Sequence, residues 1–392
     1  MKTYKLGDLL NDIIDYRGQT PKKLDDSWKN EGIRAISAMN IKNGMLVKKD
    51  NINYGSKELY NKWMKQEIEK NDILLTSEAP LGEVMLWNSD EKIILSQRVY
   101  GLKPNRKLVY PKFLYALMQT ELFYKKLVQK QSGTTVFGIR QPELLRIKLK
   151  IPEMKKQKEI GDEYYKAELL HKNNNKIKEK IGQYLELLYH KWFIDKNFIE
   201  ENKSNDLNKS FTKKRLRNIV EIQNNTITPK EEPNREFVYF SIPEYDKTGS
   251  HLLEKGKNIG SNKYIVDSNN ILVSKLNPRF NRIIYPQNID LGICSTEFVV
   301  WKPKYDNILE YLFVLAKTRK FVKYTSQLAS GTSNSHKRIK PDLMLNYSLN
   351  FNLEIIKEFN ELVKPFITKL NNLTRQNKIL KETREITINS IL

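Results

Sequence analysis

The feature that most restricts the fold is a set of six short phrases that occur in the same order in both halves of the chain, about 200 residues apart. The partners are separated by 208 residues at the start and by 198 or 199 further on, a period far longer than that of a solenoid. We therefore infer a tandem duplication, which predicts two similar domains. The pairs are Thr20–Lys22 with Thr228–Lys230, Asp72–Ser77 with Asn270–Lys275, Val99–Pro104 with Phe298–Pro303, Lys112–Tyr115 with Glu310–Phe313, Ser132–Thr135 with Ser330–Ser333, and Pro142–Leu145 with Pro341–Met344.

Each copy shows the same coarse pattern of secondary structure. Its first two-thirds consists of short β-branched and aromatic runs, such as Lys92–Ser96 and Asn281–Tyr285, broken by Gly, Asn and Pro. A helix follows, then a polar loop, a proline and a last strand. Each copy is therefore predicted to be an α+β domain of about 150 residues, over residues 1–150 and 215–350. The helix positions are Phe113, Leu114, Leu117 and Met118 in the first copy and Tyr311, Leu312 and Leu315 in the second.

A long heptad pattern follows each domain, over residues 151–195 and 351–392, and residues 196–214 between the copies are polar and predict a linker. Each pattern carries one Asn at an a position, Asn174 or Asn377, which in coiled coils fixes the register. Two matched patterns favour a coiled coil, although helices packing singly on their own domains would show the same periodicity. Pro365 is expected to kink the second helix or to mark its start. The a positions are Ile160, Ala167, Asn174, Ile181 and Leu188, then Ile356, Val363, Leu370 and Asn377; the d positions are Leu170, Ile177 and Tyr184, then Phe359, Phe366, Leu373 and Leu380.

The charge of the chain points to a polyanionic partner. Lys and Arg number 68 against 46 Asp and Glu, a formal net charge of +22, and cations placed beside phosphates release condensed counterions. A lysine-rich surface that is only solvated is the alternative explanation. The single cysteine, Cys294, excludes an internal disulfide and is interpreted as a small core residue. Without an apolar signal-peptide core or a run near 18 apolar residues, the chain is expected to be cytoplasmic.

Catalytic signatures are missing from the sequence. It contains no phosphate-binding G-x-x-x-x-G-K-[ST] loop and no Gly-rich turn typical of a dinucleotide or S-adenosylmethionine pocket. Asn277–Phe280 is similar to the Asn-Pro-Pro-Phe motif of adenine methyltransferases, but Arg279 replaces the second proline. The four histidines lie far apart and lack metal-ligand spacing. We predict that the chain is not an enzyme and holds no metal or cofactor.

Clusters of cations and short polar side chains are the candidate DNA contacts, because cations bind phosphates and polar groups read base edges. An ordinary polar turn remains the alternative for any one residue. In the second copy, Gly331 is expected to let the backbone approach its ligand closely. The candidates are Arg17, Gln19, Lys22, Lys23, Ser132, Thr134, Thr135 and Arg140 in the first copy, and Lys275, Asn277, Arg279, Arg282, Ser330, Thr332, Asn334, His336, Lys337 and Arg338 in the second.

Three phrases resemble the specificity subunits of type I restriction–modification systems, and the resemblance extends over the whole chain. Ile73–Ser77 followed by Pro80–Glu83 resembles the first recognition domain of that family. Val273–Phe280 is similar to a recurring phrase of its recognition domains, and Leu188–Asp195 resembles its central conserved region. The arrangement of two copies and two helices is also that of the family.

The resemblance implies a function and a set of partners. Two target-recognition domains would each read one half of a split DNA site, and the long helices, pairing as an antiparallel coiled coil, would set the distance between the halves. Two modification subunits that carry S-adenosylmethionine and methylate adenine, and restriction subunits driven by ATP and magnesium, would bind the chain. Tyr189, Trp192 and Phe193 are expected to be exposed and to serve partner binding or helix pairing.

Two other functions stay open at this level. One is a methyltransferase or nuclease that acts alone with unrecognised motifs. The other is an RNA-binding scaffold, which is disfavoured because the aromatic residues lie mostly in apolar runs and not on an exposed basic face.

Overall fold

The computed structural model describes residues 1–131, 137–195, 210–331 and 336–389. The chain divides into two compact units, the first consisting of Met1–Leu170 with Leu380–Leu392 and the second of His171–Ile379. Each unit contains one copy of the sequence repeat. No helix of the described residues is both long and apolar enough to cross a membrane.

The first unit is built around a four-stranded sheet, beside a three-stranded sheet and two pairs of strands. Its strands are β1 (Lys2–Lys5), β2 (Leu10–Asp15), β3 (Ile33–Ile36), β4 (Ile41–Lys42), β5 (Met45–Leu46), β6 (Asn53–Gly55), β7 (Ile73–Thr76), β8 (Val84–Leu86), β9 (Ile94–Leu95), β10 (Val99–Pro104) and β11 (Lys148–Ile151). Its helices are α1 (Lys57–Trp63), α2 (Pro111–Met118), α3 (Glu121–Gln129) and α4 (Gln141–Leu145).

Strand β7 shows why these residues form the centre of the sheet. All four of its residues are buried, as expected of a strand that is covered on both faces. Side chains alternate between the faces of a strand, so Ile73 and Leu75 pack into the core that contains α2. Leu74 points the other way, into the core shared with α1.

The long helix α5 (Met154–Phe193) precedes the second domain, and α10 (Leu353–Asn389) follows it. The second unit contains the strands β12 (Thr212–Arg215), β13 (Val220–Gln223), β14 (Thr226–Ile227), β15 (Glu236–Phe240), β16 (Leu252–Lys255), β17 (Lys263–Val266), β18 (Ile271–Ser274), β19 (Ile283–Ile284), β20 (Gly292–Cys294), β21 (Phe298–Pro303) and β22 (Ser348–Phe351). Its short helices are α6 (Ile242–Thr248), α7 (Leu309–Lys317), α8 (Arg319–Leu328) and α9 (Pro341–Met344).

The duplication is confirmed by the sheets. The order β13-β21-β18-β19 repeats β2-β10-β7-β8, and β12-β22 repeats β1-β11. The main difference is the sheet β14-β17-β20-β15-β16, which has five strands where the first unit has three. Strand β12 begins within the range predicted as linker, and it pairs with β22 of the second domain. Cys294 is fully buried, as expected, and burial raises the pKa of its thiol.

Within the second unit, α5 and α10 pair in an antiparallel direction. Asn174 contacts Asn377, Tyr184 contacts Phe366, and Trp192 contacts Phe359, so positions rise along one helix as they fall along the other. The predicted antiparallel coiled coil is confirmed there. Every heptad residue predicted on α10 is buried or half-buried.

The prediction for α5 is half wrong. Its a positions are buried or half-buried, but Leu170, Ile177 and Tyr184 at the predicted d positions are each more than 40% exposed. The residue one position later is half-buried at His171 and Lys178 and buried at Leu185, whose side chain belongs to the core of the second unit. Pro365 neither begins nor ends α10, since it lies inside the helix.

Candidate nucleic-acid interface

Both domains contain the same surface, formed where the central strand of the main sheet ends. In the first domain, the turn after β7 bridges to the segment before α4: Glu78 pairs with Gly138, and the Ile139 amide donates to the Ser77 carbonyl at 3.0 Å. In the second, Leu276 pairs with Arg338, and the Ile339 amide donates to the Lys275 carbonyl at 3.0 Å. We call these surfaces the platforms, residues 77–82 with 137–140 and residues 275–282 with 336–340.

Arginines lie on and beside the first platform. Arg17 is held by Asp15 at 2.8 Å, and its guanidinium carbon lies 4.2 Å from the centre of the Tyr100 ring. The Tyr100 hydroxyl in turn donates to the platform carbonyl of Ile139 at 3.0 Å. Arg98 pairs with Glu78 at 3.0 Å. The exposed side chain of Arg140 has no bonding partner among the described residues.

The other candidates of the first domain lie in the loop that follows Arg17. Lys22 and Lys23 are exposed at the start of a short helical turn, and Lys23 donates to the Gly18 carbonyl at 2.7 Å. Gln19 is half-buried beside them. The remaining three candidates, Ser132, Thr134 and Thr135, lie outside the described residues.

The second platform corrects two predictions, because Arg282 and Asn277 are structural. Arg282 is 9% exposed and makes two bonds with Asp246, at 2.6 and 2.7 Å. Asn277 is 7% exposed, and its amide donates to the Lys337 carbonyl at 2.7 Å while its side-chain oxygen accepts from the Lys337 amide at 3.2 Å. A buried, paired cation is not the exposed phosphate ligand that the sequence predicted at Arg282. These two residues shape the turn that presents their neighbours.

The exposed cations of the second platform are Arg279, Arg338 and Lys340. Arg338 forms a bidentate pair with Glu297, with Nε and Nη2 each 3.0 Å from a carboxylate oxygen, and this hydrogen bonding raises the pKa of its guanidinium. Lys275 and Lys337 are half-buried, whereas His336 is exposed.

A two-stranded bridge supports the loop that precedes these residues. Ser330 and Arg338 exchange both backbone hydrogen bonds, at 3.0 and 2.8 Å. A Cβ on Gly331 would lie 2.7 Å from the His336 carbonyl, so its small size serves the approach of two segments of this chain. Thr332 and Asn334, the other candidates of the loop, lie outside the described residues.

Two exposed phenylalanines on the platforms escaped the sequence analysis. Phe137 and Phe280 are each 54% exposed, although most aromatic residues of the chain are buried or half-buried. The feature of the sequence that could have indicated these phenylalanines is the arginine near each of them, Arg140 and Arg279. Arg98 was also missed, although it aligns in the repeat with Glu297, and both take part in a platform ion pair.

The aromatic residues at the end of α5 are buried, contrary to the expectation that they are exposed. Tyr189 is 3% and Phe193 0% exposed, and Trp192 is half-buried against Phe359. The Phe193 ring centre lies 4.8 Å from that of Tyr311 on α7. This arrangement favours the role in helix pairing over direct partner binding.

Within the described ranges, no three His, Cys, Asp or Glu side chains are placed so that they could bind one ion.

Comparisons with known proteins agree with this architecture. Residues 1–183 match the family model described as the type I restriction modification DNA specificity domain. The type I restriction enzyme MjaIX specificity subunit of Methanocaldococcus jannaschii is 24% identical over 340 residues, which are 81% of this chain and 75% of that protein. The MjaVIII specificity subunit of the same organism is 26% identical over 177 residues, 44% of this chain and only 41% of that protein.

A solved structure shows the same fold. The crystal structure of a type I restriction-modification S subunit from M. genitalium superimposes with a TM-score of 0.67 at 16% identity. The alignment covers 100% of this chain and 96% of that one.

Proposed function

The chain belongs to the specificity subunits of type I restriction–modification systems, and we propose that each of its two domains reads one half of a split, asymmetric DNA site. The observation that carries the proposal is the repeated platform, which presents exposed cations in both domains. Arg140 lies on the first and Arg279 on the second. Because the side chains of the two platforms differ, the two halves of the site differ in sequence.

The two platform ion pairs support a role in DNA binding. Arg98 and Arg338 are held by single carboxylates at 3.0 Å and are 46% exposed at the side chain. A surface ion pair contributes only about 0–1 kcal/mol, so a phosphate or a guanine edge can replace the carboxylate at little cost. The protein thereby orients each guanidinium before DNA arrives.

The chemistry belongs to partner subunits in this proposal. Two modification subunits supply S-adenosylmethionine and methylate adenine, and restriction subunits supply the ATP- and magnesium-dependent cleavage. This chain only positions the partner subunits on the DNA and selects the sequence, in the cytoplasm where the DNA lies.

The exposed side chains of α5 are the proposed binding surface for a modification subunit. Ile177 and Leu187 are 43% and 65% exposed, and at 3.6 residues per turn they lie about 80° apart around the helix. Apolar side chains that stay exposed on a helix offer a surface that a partner can cover. Ile177→Glu with Leu187→Glu should therefore prevent association and leave the far-ultraviolet circular dichroism unchanged.

The test of the proposal is co-expression with the cognate modification subunit, followed by genome-wide mapping of methylated adenine. The expected result is a bipartite motif with a fixed spacer. Arg140→Ala should weaken selection in one half of the motif and Arg279→Ala in the other. A motif without a gap, or variants that alter both halves together, would contradict independent reading by two domains.

Two other hypotheses compete with this proposal, and assays of the purified chain distinguish them. Methylation or cleavage of DNA by the chain alone would indicate an enzyme. Tighter binding of single-stranded RNA than of duplex DNA would indicate an RNA scaffold.

A further inference from the structure

Phe280 is a large apolar side chain that the fold holds in water. It ends the short helical turn Pro278–Phe280 and is 54% exposed. Asn277 and Asn281, on either side of the turn, have φ values of 47° and 48°. Asn tolerates this left-handed conformation better than most residues. The local sequence therefore projects the ring outward at a sharp bend.

Two guanidinium groups hold the Phe280 ring in position. The guanidinium carbon of Arg279 lies 4.9 Å from the ring centre and that of Arg282 lies 4.7 Å from it. Arg282 is itself fixed by its two bonds to Asp246. The ring thus rests on a buried, immobile cation, and the exposed Arg279 lies beside it. An aromatic ring restrained in this way loses little side-chain entropy when it binds.

The first platform exposes a phenylalanine too, but from its other segment. Phe137 is also 54% exposed and directly precedes Gly138. A Cβ on Gly138 would lie 3.0 Å from the Glu78 side chain, so the two segments of this platform are in close contact. Exposed Arg140 follows three residues later. The turn of this platform has no counterpart of Phe280, because Gly82 packs there against Tyr124 and Leu127.

We propose that Phe280 and Phe137 contact bases of duplex DNA, one in each half of the site. The inference rests on the proposed function and adds a residue class that reads bases through apolar contact. Arg279 and Arg282 lie beside the Phe280 ring, and exposed Arg140 is three residues from Phe137 in the chain, so the partner must tolerate cations. A nucleic acid supplies phosphates for the arginines and flat bases for the rings. Phenylalanine contacts the thymine methyl group in the major groove or enters between base pairs as a wedge.

The test uses the complex with the modification subunit and a duplex that carries the bipartite site found by methylation mapping. Phe280→Ala should reduce affinity about tenfold to a hundredfold, the range measured for aromatic contacts with bases. It should also relax selection at positions of one half-site only, and Phe137→Ala should do so in the other half. Phe280→Trp should retain binding. Deoxyuridine in place of thymidine reports a methyl contact, and 2-aminopurine fluorescence reports unstacking by a wedge.

Leu253→Ala is the matched control, because Leu253 is 57% exposed in the same domain but belongs to β16 and not to the platform. It should bind within about twofold of the unaltered chain, as surface substitutions do. If Phe280→Ala binds the duplex as tightly as this control does, the proposal is wrong. The proposal is also wrong if Phe280→Ala no longer binds the modification subunit but still contacts DNA, because the ring then belongs to a protein–protein interface. If the unaltered complex yields no bipartite motif, the proposed function fails, whatever the variants do.

Discussion

The polar contact inside the helix pair yields a prediction whose size follows from the structure. Asn174 donates to the Asn377 side chain at 3.0 Å, and Asn377 donates to the Asn175 side chain at 2.8 Å. Asn174 and Asn377 are 9% and 6% exposed. Replacing either by Leu removes the bond between the two buried amides, although Asn377 keeps Asn175 and Asn174 keeps the Gln376 side chain at 3.4 Å. The remaining amide is then only partly satisfied, so the loss should be near the lower end of about 1–3 kcal/mol. Replacing both removes the unsatisfied groups, so the double variant should lie within about 1 kcal/mol of the unaltered chain.

Calorimetry of the thermal transition of the second unit measures these effects. For a unit of this size, each kcal/mol corresponds to about 2–4 °C in Tm. Both single variants should melt lower, and the double variant should recover most of the loss. Asn173→Leu, on the exposed face of the same helix, should change stability by no more than about 0.5 kcal/mol.

The same double variant tests whether the asparagines specify the register. A buried Asn at an a position costs stability but selects one alignment of the helices. We therefore expect the Leu pair to keep its Tm and to methylate sites with more than one spacer length. Single variants whose losses simply add in the double variant would refute the coupling of Asn174 with Asn377. A double variant with one sharp spacer would refute the role in register.

Four further predictions follow from the same contacts. Duplex affinity should fall at least about 10³-fold between 50 and 200 mM salt, the effect of about 6–10 phosphate contacts, and a flat titration would contradict it. Arg282→Ala should destabilise the second domain by about 1–3 kcal/mol in urea through loss of its charged hydrogen bonds, whereas Arg279→Ala should leave stability unchanged and weaken DNA binding. Trp192→Ala should lower the Tm of the second unit, and an unchanged Tm would show that its contact with the second helix contributes nothing. Deletion of the heptads 174–180 and 371–377 together removes about 10.5 Å of helix, so methylation mapping should show a spacer shorter by up to about three base pairs.

Much of the fold could be predicted because it depends on patterns that are local in sequence. The duplication, the α+β domains and the a positions of both helices follow from repeated phrases and from hydrophobic spacing. The asparagines of the helix pair were predicted as a register device, and the structure adds that they bond to each other. The error on α5 has the same origin, since the apolar row Leu170, Ile177 and Tyr184 suggested a core face, whereas the row one residue later includes His171 and Lys178. Periodicity alone does not tell which row meets the core.

The platforms required the tertiary structure. Arg279 and Arg282 are three residues apart and look alike in the sequence, yet one is exposed and the other is buried on Asp246, whose position 36 residues away no local pattern reveals. Phenylalanine is a residue type usually found in cores, but Phe280 is exposed because left-handed residues on both sides of its turn project it outward. The number of cations and their clustering are properties of the sequence alone. Which of them face solvent depends on partners distant in the chain, because an ion pair or a buried contact forms only when folding brings both members together.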